Sequence, residues 1–172
     1  MEMTDDFATY LETLKFRLNE AGHIDPKILL VTCIDLRYPG VIHKQMETAV
    51  DGYFHKRYDQ LSLSGAGLAC VVDFPPSPKP AWRQTFIDQV SISIKLHQIR
   101  AVIVLEHCTC GAYKEFGLLH DGSSVEEEKR VHAFHVARCE ELLNRTFPGL
   151  ITDCFLLPAE PETDESIIMH AF

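Results

Sequence analysis

Features that would direct a chain to a membrane or to nucleic acid are missing from these 172 residues. No apolar run approaches the roughly 20 residues that a membrane-spanning helix needs. Basic residues are few, since 16 Lys and Arg stand against 25 Asp and Glu and the formal net charge is -9. Without a basic stripe, nothing neutralises a phosphate backbone. We therefore expect neither a membrane nor a nucleic acid as a partner.

The first residues, MEMTDDFATY, also lack the basic and apolar segments of a secretory signal peptide, so we expect a cytoplasmic location. In that reducing compartment, the six cysteines are expected to be buried small side chains, catalytic groups or metal ligands rather than disulfides. No internal repeat or low-complexity segment divides the chain, and its length suits one domain. We expect a single domain over residues 1–172.

Helical and strand patterns alternate along the chain. Helices are predicted within 1–22, over 41–50, after the proline-rich loop with Trp82, Phe86, Val90 and Ile94 on one side, and from 125 to about 145. Strands are predicted over 27–35, 58–63, 101–106 and 151–157. This alternation predicts an α/β fold, a single three-layer domain around a mainly parallel sheet of four or five strands. A proline-rich loop over 74–80, a loop over 111–122 and a tail over 158–172 complete the prediction.

Two short motifs follow two of the apolar runs. The first is C-x-D-x-R, with Cys33, Asp35 and Arg37, and the second is H-x-x-C, with His107 and Cys110. In parallel sheets, functional side chains collect at the carboxyl ends of strands, so the two motifs are expected to meet. Thiolates and imidazoles are donors that Zn²⁺ prefers, and catalytic zinc sites keep three protein ligands and water. We predict a zinc site formed by Cys33, His107 and Cys110.

The fourth position of this site has two protein candidates. Asp35 is close to Cys33 in sequence, and Arg37 offers it a competing bidentate partner. An Asp35 paired in this way stays ionised and can accept a hydrogen bond from a hydroxide on zinc. The second candidate is Cys108, whose side chain is expected to point away from that of Cys110 in an extended segment. A redox role for Cys108 and Cys110 is a further alternative, although C-x-C is less typical of it than C-x-x-C.

Other polar residues of the C-terminal half are interpreted as structural. His132 and His135 lie one turn apart on a predicted helix, and we expect them on the helix surface or at an interface. The acidic triplet 126–128 is interpreted as a favourable charge at a helix N-terminus. Ser124 and Glu127 form a predicted capping box at the start of that helix.

The order and spacing of the two motifs resemble the β-class carbonic anhydrases. The similarity rests on CIDLR at 33–37 and HCTCGA at 107–112, and it extends over about residues 27–117. It implies that zinc is held by Cys33, His107 and Cys110, and that a zinc-bound hydroxide hydrates carbon dioxide reversibly to bicarbonate. Asp35 and Arg37 would be the catalytic dyad. Arg37 holds Asp35 away from the metal in an open state, and Asp35 is the fourth ligand in a closed state.

The resemblance also implies a homodimer or a higher homo-oligomer, with the N-terminal helix packed on the partner. The chain departs from the family at Ser64 and Gly65, where an arginine and an asparagine are common, and at Leu68, where a polar residue is common. An altered, more apolar pocket for a small substrate is therefore expected. Two alternatives stay open: a hydrolase of the same fold acting on carbonyl sulfide or carbon disulfide, and a non-catalytic zinc-binding homologue.

Overall fold

The computed structural model describes residues 4–71, 80–160 and 168–171. The strands are β1 (Thr4–Asp6), β2 (Lys27–Cys33), β3 (Tyr58–Leu63), β4 (Ile99–His107), β5 (Ile151–Leu157) and β6 (Ile168–Ala171). The helices are α1 (Phe7–Glu20), α2 (Pro39–Gly52), α3 (Pro80–His97), α4 (Gly111–Glu115) and α5 (Val125–Thr146), and a short 3₁₀ helix spans Ala66–Cys70.

The strands form one sheet in the order β1-β6-β5-β4-β2-β3. The four strands from β5 to β3 are parallel, whereas β6 and β1 extend the sheet in antiparallel pairing. The prediction of a mainly parallel sheet in an α/β fold is confirmed. The sheet has two strands that the sequence patterns did not indicate, because runs of three and four residues are too short to show a period.

Helices cover both faces of the sheet and produce the predicted three layers. Strands β2 and β4 are buried on both faces, which explains their continuous apolar sequences. One core, between the sheet and helices α1 and α2, contains Ile28, Leu30, Ile103 and Phe155, among others. The other core, between the sheet and helices α3 and α5, contains Leu29, Val31, Val104 and Val136, among others. Alternate residues of β2 thus enter opposite cores.

Helix α1 lies within the predicted N-terminal helical region. Its apolar stripe, formed by Phe7, Tyr10, Leu11, Leu14 and Leu18, is buried in the core of its own chain. The opposite face carries Phe16, which is 61% exposed. Contact of this helix with a partner subunit stays a prediction.

The connecting segments differ in part from the sequence patterns. The predicted loop 111–122 begins with the short helix α4. Ser124 caps α5 as predicted, because its hydroxyl accepts a hydrogen bond from the backbone N–H of Glu127 at 3.1 Å. Most of the predicted loop 74–80, together with residues 161–167 and 172 of the predicted tail, lies outside the described residues. Among the described residues, no helix has the length and apolar character needed to span a membrane.

Candidate metal centre

The carboxyl ends of the neighbouring strands β2 and β4 bring together the three predicted metal ligands. Cys33 ends β2, His107 ends β4, and Cys110 lies just before α4. One donor atom of each residue lies within 4.8 Å of the other two, and the two Sγ atoms are 3.9 Å apart. Within residues 4–71, 80–160 and 168–171, this is the one cluster of His, Cys, Asp or Glu side chains arranged to hold a metal ion.

The ring of His107 is oriented by the backbone. Its Nδ1 lies 2.9 Å from the carbonyl oxygen of Cys108, and since a carbonyl can only accept, Nδ1 carries a proton. Arg37 Nη2, at 3.3 Å from the same nitrogen, therefore has no lone pair there to which it can donate. Nε2 is buried and has no hydrogen-bond partner among the described residues. In the neutral ring, its lone pair is available, as in metal-binding histidines that donate their other N–H to a carbonyl.

The two thiols also fit a metal ion. Zinc–sulfur bonds of about 2.3 Å at tetrahedral angles separate two sulfur atoms by about 3.8 Å, close to the observed 3.9 Å. The pKa of Cys33 is lowered, chiefly because Cys110 donates a hydrogen bond to its sulfur, with a further contribution from the N–H of Gly65. The pKa of Cys110 is raised because its proton is held by Cys33 and because it is buried. The pair thus shares one proton, which a divalent cation can replace.

The loop between His107 and Cys110 turns at Thr109, whose φ of 57° is left-handed. Cys108 does not belong to the three-residue cluster. Its thiol is buried beside Glu128, and burial together with the charge of this carboxylate raises the pKa of Cys108 to about 12. Cys108 is thus held as a neutral thiol away from the donors.

Asp35 and Arg37 form a bidentate ion pair beside the cluster. Arg37 Nε donates to Oδ1 of Asp35 at 2.9 Å, and Nη2 donates to Oδ2 at 2.9 Å. The backbone N–H of Arg37 donates to Oδ1 as well, at 3.0 Å. The guanidinium hydrogen bonds lower the pKa of Asp35 to about 2, and the Arg37 pKa is raised in turn. Asp35 Oδ2 lies 3.8 Å from Nε2 of His107.

The segment that follows β5 closes over this ion pair. Arg37 Nη1 donates to the carbonyl oxygen of Ala159 and, at 3.0 Å, to Oγ1 of Thr109. The hydroxyl of Tyr38 donates to the carbonyl oxygen of Pro158 at 2.5 Å, and its ring lies 4.9 Å from that of His107. The start of the predicted tail therefore contributes to the site, a role that its sequence did not indicate.

A buried carboxylate that the motifs did not reveal lies behind the cluster. Glu106 is 1% exposed; its Oε1 accepts a hydrogen bond from the N–H of Gly67 at 2.9 Å, and its Oε2 lies 3.1 Å from Nδ1 of His132. Gly65, in the same turn as Gly67, donates to Cys33 Sγ at 3.4 Å. The signal that could have indicated this network is a glutamate inside the apolar strand AVIVLEH, since such a group needs buried partners.

The prediction that His132 and His135 lie on a helix surface is wrong. They are 0% and 2% exposed, because α5 packs this stripe onto the sheet and onto Tyr113. The rings of Tyr113 and His132 are 4.0 Å apart. Burial disfavours the charged imidazolium and lowers the pKa of His135 to about 4. The helical pattern alone could not show this, because histidine occurs on both faces of helices.

An apolar cavity of about 300 Å³ is lined in part by residues that are sequence neighbours of the cluster. Its lining includes Ile34, which follows Cys33, and Leu63 and Ser64, which precede Gly65. Trp82 from α3 also lines it. That a substrate enters an altered, more apolar pocket stays a prediction.

Two uncharacterised rickettsial proteins are similar to the chain in sequence. The protein of Rickettsia conorii is 30% identical over 140 residues, which cover 81% of this chain and 69% of the relative. The protein of Rickettsia bellii is 31% identical over 140 residues, covering 81% and 78%. The chain belongs to the family of these rickettsial proteins. No family model matches it.

A solved structure identifies the fold of this family member. The β-carbonic anhydrase of the fungal pathogen Aspergillus fumigatus superposes with a TM-score of 0.51 at 12% identity, covering 92% of this chain and 82% of the fungal chain. The chain therefore has a β-carbonic-anhydrase-like fold, as the resemblance of its two motifs implied.

Proposed function

We propose that the chain is a zinc lyase that hydrates carbon dioxide reversibly to bicarbonate. One observation carries the proposal: two thiols and Nε2 of His107, which has no hydrogen-bond partner within the described ranges, converge beside a carboxylate that an arginine holds in place. Cys33, His107 and Cys110 are the proposed zinc ligands, since two sulfurs and one imidazole suit this ion and leave a fourth position for water. A zinc ion held there would supply hydroxide near neutral pH, because zinc lowers the pKa of water.

Asp35 is the proposed orienting residue. It is ionised at neutral pH because Arg37 lowers its pKa to about 2. Oδ1 accepts two hydrogen bonds from Arg37, whereas Oδ2 accepts one, so Oδ2 keeps a free acceptor site. Since Oδ2 lies 3.8 Å from the donor nitrogen of His107, it borders the space in front of the ligands. It can accept a hydrogen bond there and so direct a lone pair of the nucleophile toward substrate.

Arg37 is the proposed holding residue. Its planar guanidinium binds both oxygens of Asp35, and Thr109 and the carbonyl of Ala159 fix the guanidinium from the other side. Asp35 would have to lose these charge-assisted bonds to become the fourth ligand. The arrangement therefore favours the open state that the family resemblance implies, over the closed, non-catalytic one.

A second candidate, hydrolysis of carbonyl sulfide or carbon disulfide, is favoured by the cavity beside the site. The side chains of Ile34, Leu63 and Trp82 give this cavity an apolar lining. Such a lining suits linear molecules that are less polar than bicarbonate. The same nucleophile and the same Asp35 would serve this reaction.

We further propose that two copies associate and that the protein works in the cytoplasm. Ile34 and Leu36 flank Asp35 and are 58% and 93% exposed, so a second copy would cover apolar side chains at the site. Light scattering after gel filtration measures the assembly, and a monomer at micromolar concentration would contradict it.

The function is tested by stopped-flow hydration of carbon dioxide between pH 7 and 9, on protein with verified one-to-one zinc. The chelator-treated protein and the Asp35→Asn variant are the matched controls. Zinc-dependent hydration that falls in Asp35→Asn is the expected result. A fully zinc-loaded sample without hydration above buffer would sink the lyase proposal. Release of hydrogen sulfide from carbonyl sulfide by that sample would then establish the second candidate.

A further inference from the structure

One of the three consecutive glutamates at the start of α5 does not behave as a surface charge. Glu126 is exposed, whereas Glu128 is only 4% exposed. A favourable charge near a helix N-terminus accounts for the exposed Glu126 but not for the burial of Glu128. A buried carboxylate needs hydrogen-bond donors, so its partners indicate its role.

The partner of Glu128 lies in the loop that carries two proposed zinc ligands. Its Oε2 accepts a hydrogen bond from the backbone N–H of Thr109 at 2.6 Å. Thr109 adopts a left-handed φ of 57°, which costs energy for a β-branched residue and persists only where its surroundings hold it. The charged hydrogen bond to Glu128 supplies such a restraint.

The conformation of Thr109 sets the path between His107 and Cys110. It is the middle of the loop that turns from β4 into α4, and its side chain accepts a hydrogen bond from Arg37 at 3.0 Å. Release of Thr109 from its left-handed conformation would rotate the peptide units on either side. The distance between Nε2 of His107 and Sγ of Cys110 would then no longer be fixed, and the anchor of Arg37 would move with it.

We infer that Glu128 is a positioning residue for the metal centre, which holds Thr109 so that His107 and Cys110 face one metal ion. This inference rests on the proposed zinc site. Glu128 is not one of the three donors, and its proposed action on them passes through the backbone N–H of Thr109. Loss of such an outer partner typically lowers metal affinity by about 10- to 100-fold.

The test compares Glu128→Ala with Glu126→Ala, which removes an exposed glutamate from the same helical turn. Zinc affinity is measured by competition with a chromophoric chelator, and the Co²⁺-substituted proteins are compared by their visible absorption spectra. We expect about a 10- to 100-fold weaker affinity and an altered cobalt spectrum for Glu128→Ala only. Glu128→Gln keeps an acceptor oxygen for Thr109 and is expected to restore both readouts.

Equal zinc affinity and equal cobalt spectra in Glu128→Ala and Glu126→Ala would overturn the inference, even if the free energy of unfolding fell. If Glu128→Ala does not fold, Glu128→Asp replaces it, because its carboxylate is one methylene too short to reach Thr109 and the same loss is expected. Failure of the unchanged protein to bind zinc or cobalt would instead overturn the proposed function, and the inference with it.

Discussion

Substitution of Gly67 by alanine should disrupt the buried network behind the metal centre. A Cβ atom at this position would lie 2.8 Å from Oε1 of Glu106 and 3.2 Å from Cγ1 of Val104. The first distance is too short for any real contact, so the carboxyl group of Glu106 must move. Its hydrogen bond from the Gly67 N–H, at 2.9 Å, and its contact with His132 Nδ1, at 3.1 Å, would be lost or weakened.

The size of the effect follows from the burial of these groups. Glu106 and His132 are 1% and 0% exposed, so water cannot replace the lost partners. A buried polar group left unsatisfied costs about 1–3 kcal/mol. Overpacking of a filled core costs about 1–3 kcal/mol more. We expect the free energy of unfolding to fall by about 2–6 kcal/mol, which lowers the melting temperature of a chain of this length by about 4–24 °C.

Urea unfolding followed by circular dichroism measures this change. Gly40→Ala is the matched control, because Gly40 lies in α2 and a Cβ there would have no neighbour within 4 Å. This control is expected to be unchanged or more stable by up to about 1 kcal/mol, since alanine favours helices. If Gly67→Ala stays within about 0.5 kcal/mol of the unchanged protein, the crowding of Glu106 is refuted.

A double-mutant cycle assigns the effect to the carboxylate. Glu106→Ala removes the side chain that the new Cβ would meet. In that background, Gly67→Ala should therefore lower the free energy of unfolding only slightly further. We expect the two changes to be non-additive by about 1–3 kcal/mol. Full additivity would mean that the alanine methyl group acts through another contact.

Other predictions concern the cluster and the ion pair. Cys33→Ser should lose stoichiometric zinc by elemental analysis, and with it the roughly 3–4 kcal/mol that a metal at 100 to 1,000 times its dissociation constant adds to stability. Cys154→Ser, which changes a buried cysteine outside the cluster, should keep both the zinc and this stabilisation. Zinc retained by Cys33→Ser would remove Cys33 from the ligand set. Asp35→Asn should bind zinc normally but hydrate carbon dioxide about 100-fold or more slowly, and an unchanged rate would deny Asp35 its role. Because the pKa of Asp35 is lowered to about 2 in the folded chain from an ordinary 3.8, its ionised form stabilises the fold above about pH 4, and this stabilisation is lost as the pH falls toward 2. In chelator-treated samples, the difference in unfolding free energy between the unchanged protein and Asp35→Asn should therefore shrink between about pH 4 and 2, and a constant difference over this range would contradict the ion pair.

The strands were predictable because burial on both faces leaves a direct trace in the sequence. KILLVTC and AVIVLEH are continuous apolar runs, and each is a central strand of the observed sheet. The soft donors at their ends could be predicted to meet, since parallel strands present their carboxyl ends at one edge. By contrast, β6 pairs with both β5 and β1, and so short a strand depends on its neighbours rather than on its own sequence pattern.

The supporting carboxylates could not be assigned from local patterns. Glu128 stands among two other glutamates, and only the packing of α5 against the Thr109 loop distinguishes it. His132 has a polar side chain of a type common on protein surfaces, yet it is fully buried against Glu106, which lies 26 positions earlier in the chain. Residue type and helical period do not record which residue of a distant strand a side chain will meet.

The sequence by itself determined the class of fold and the chemistry of the candidate centre, because apolar periodicity and soft donor atoms are properties of residue types. Tertiary structure alone decided the rest. It placed Sγ of Cys33 3.9 Å from Sγ of Cys110 and paired Asp35 with Arg37 in two parallel hydrogen bonds. It also left Nε2 of His107 without a hydrogen-bond partner in the part of the chain that the structure describes. These are distances and orientations between segments far apart in the chain, and they exist only when the core that fixes the strand ends has formed.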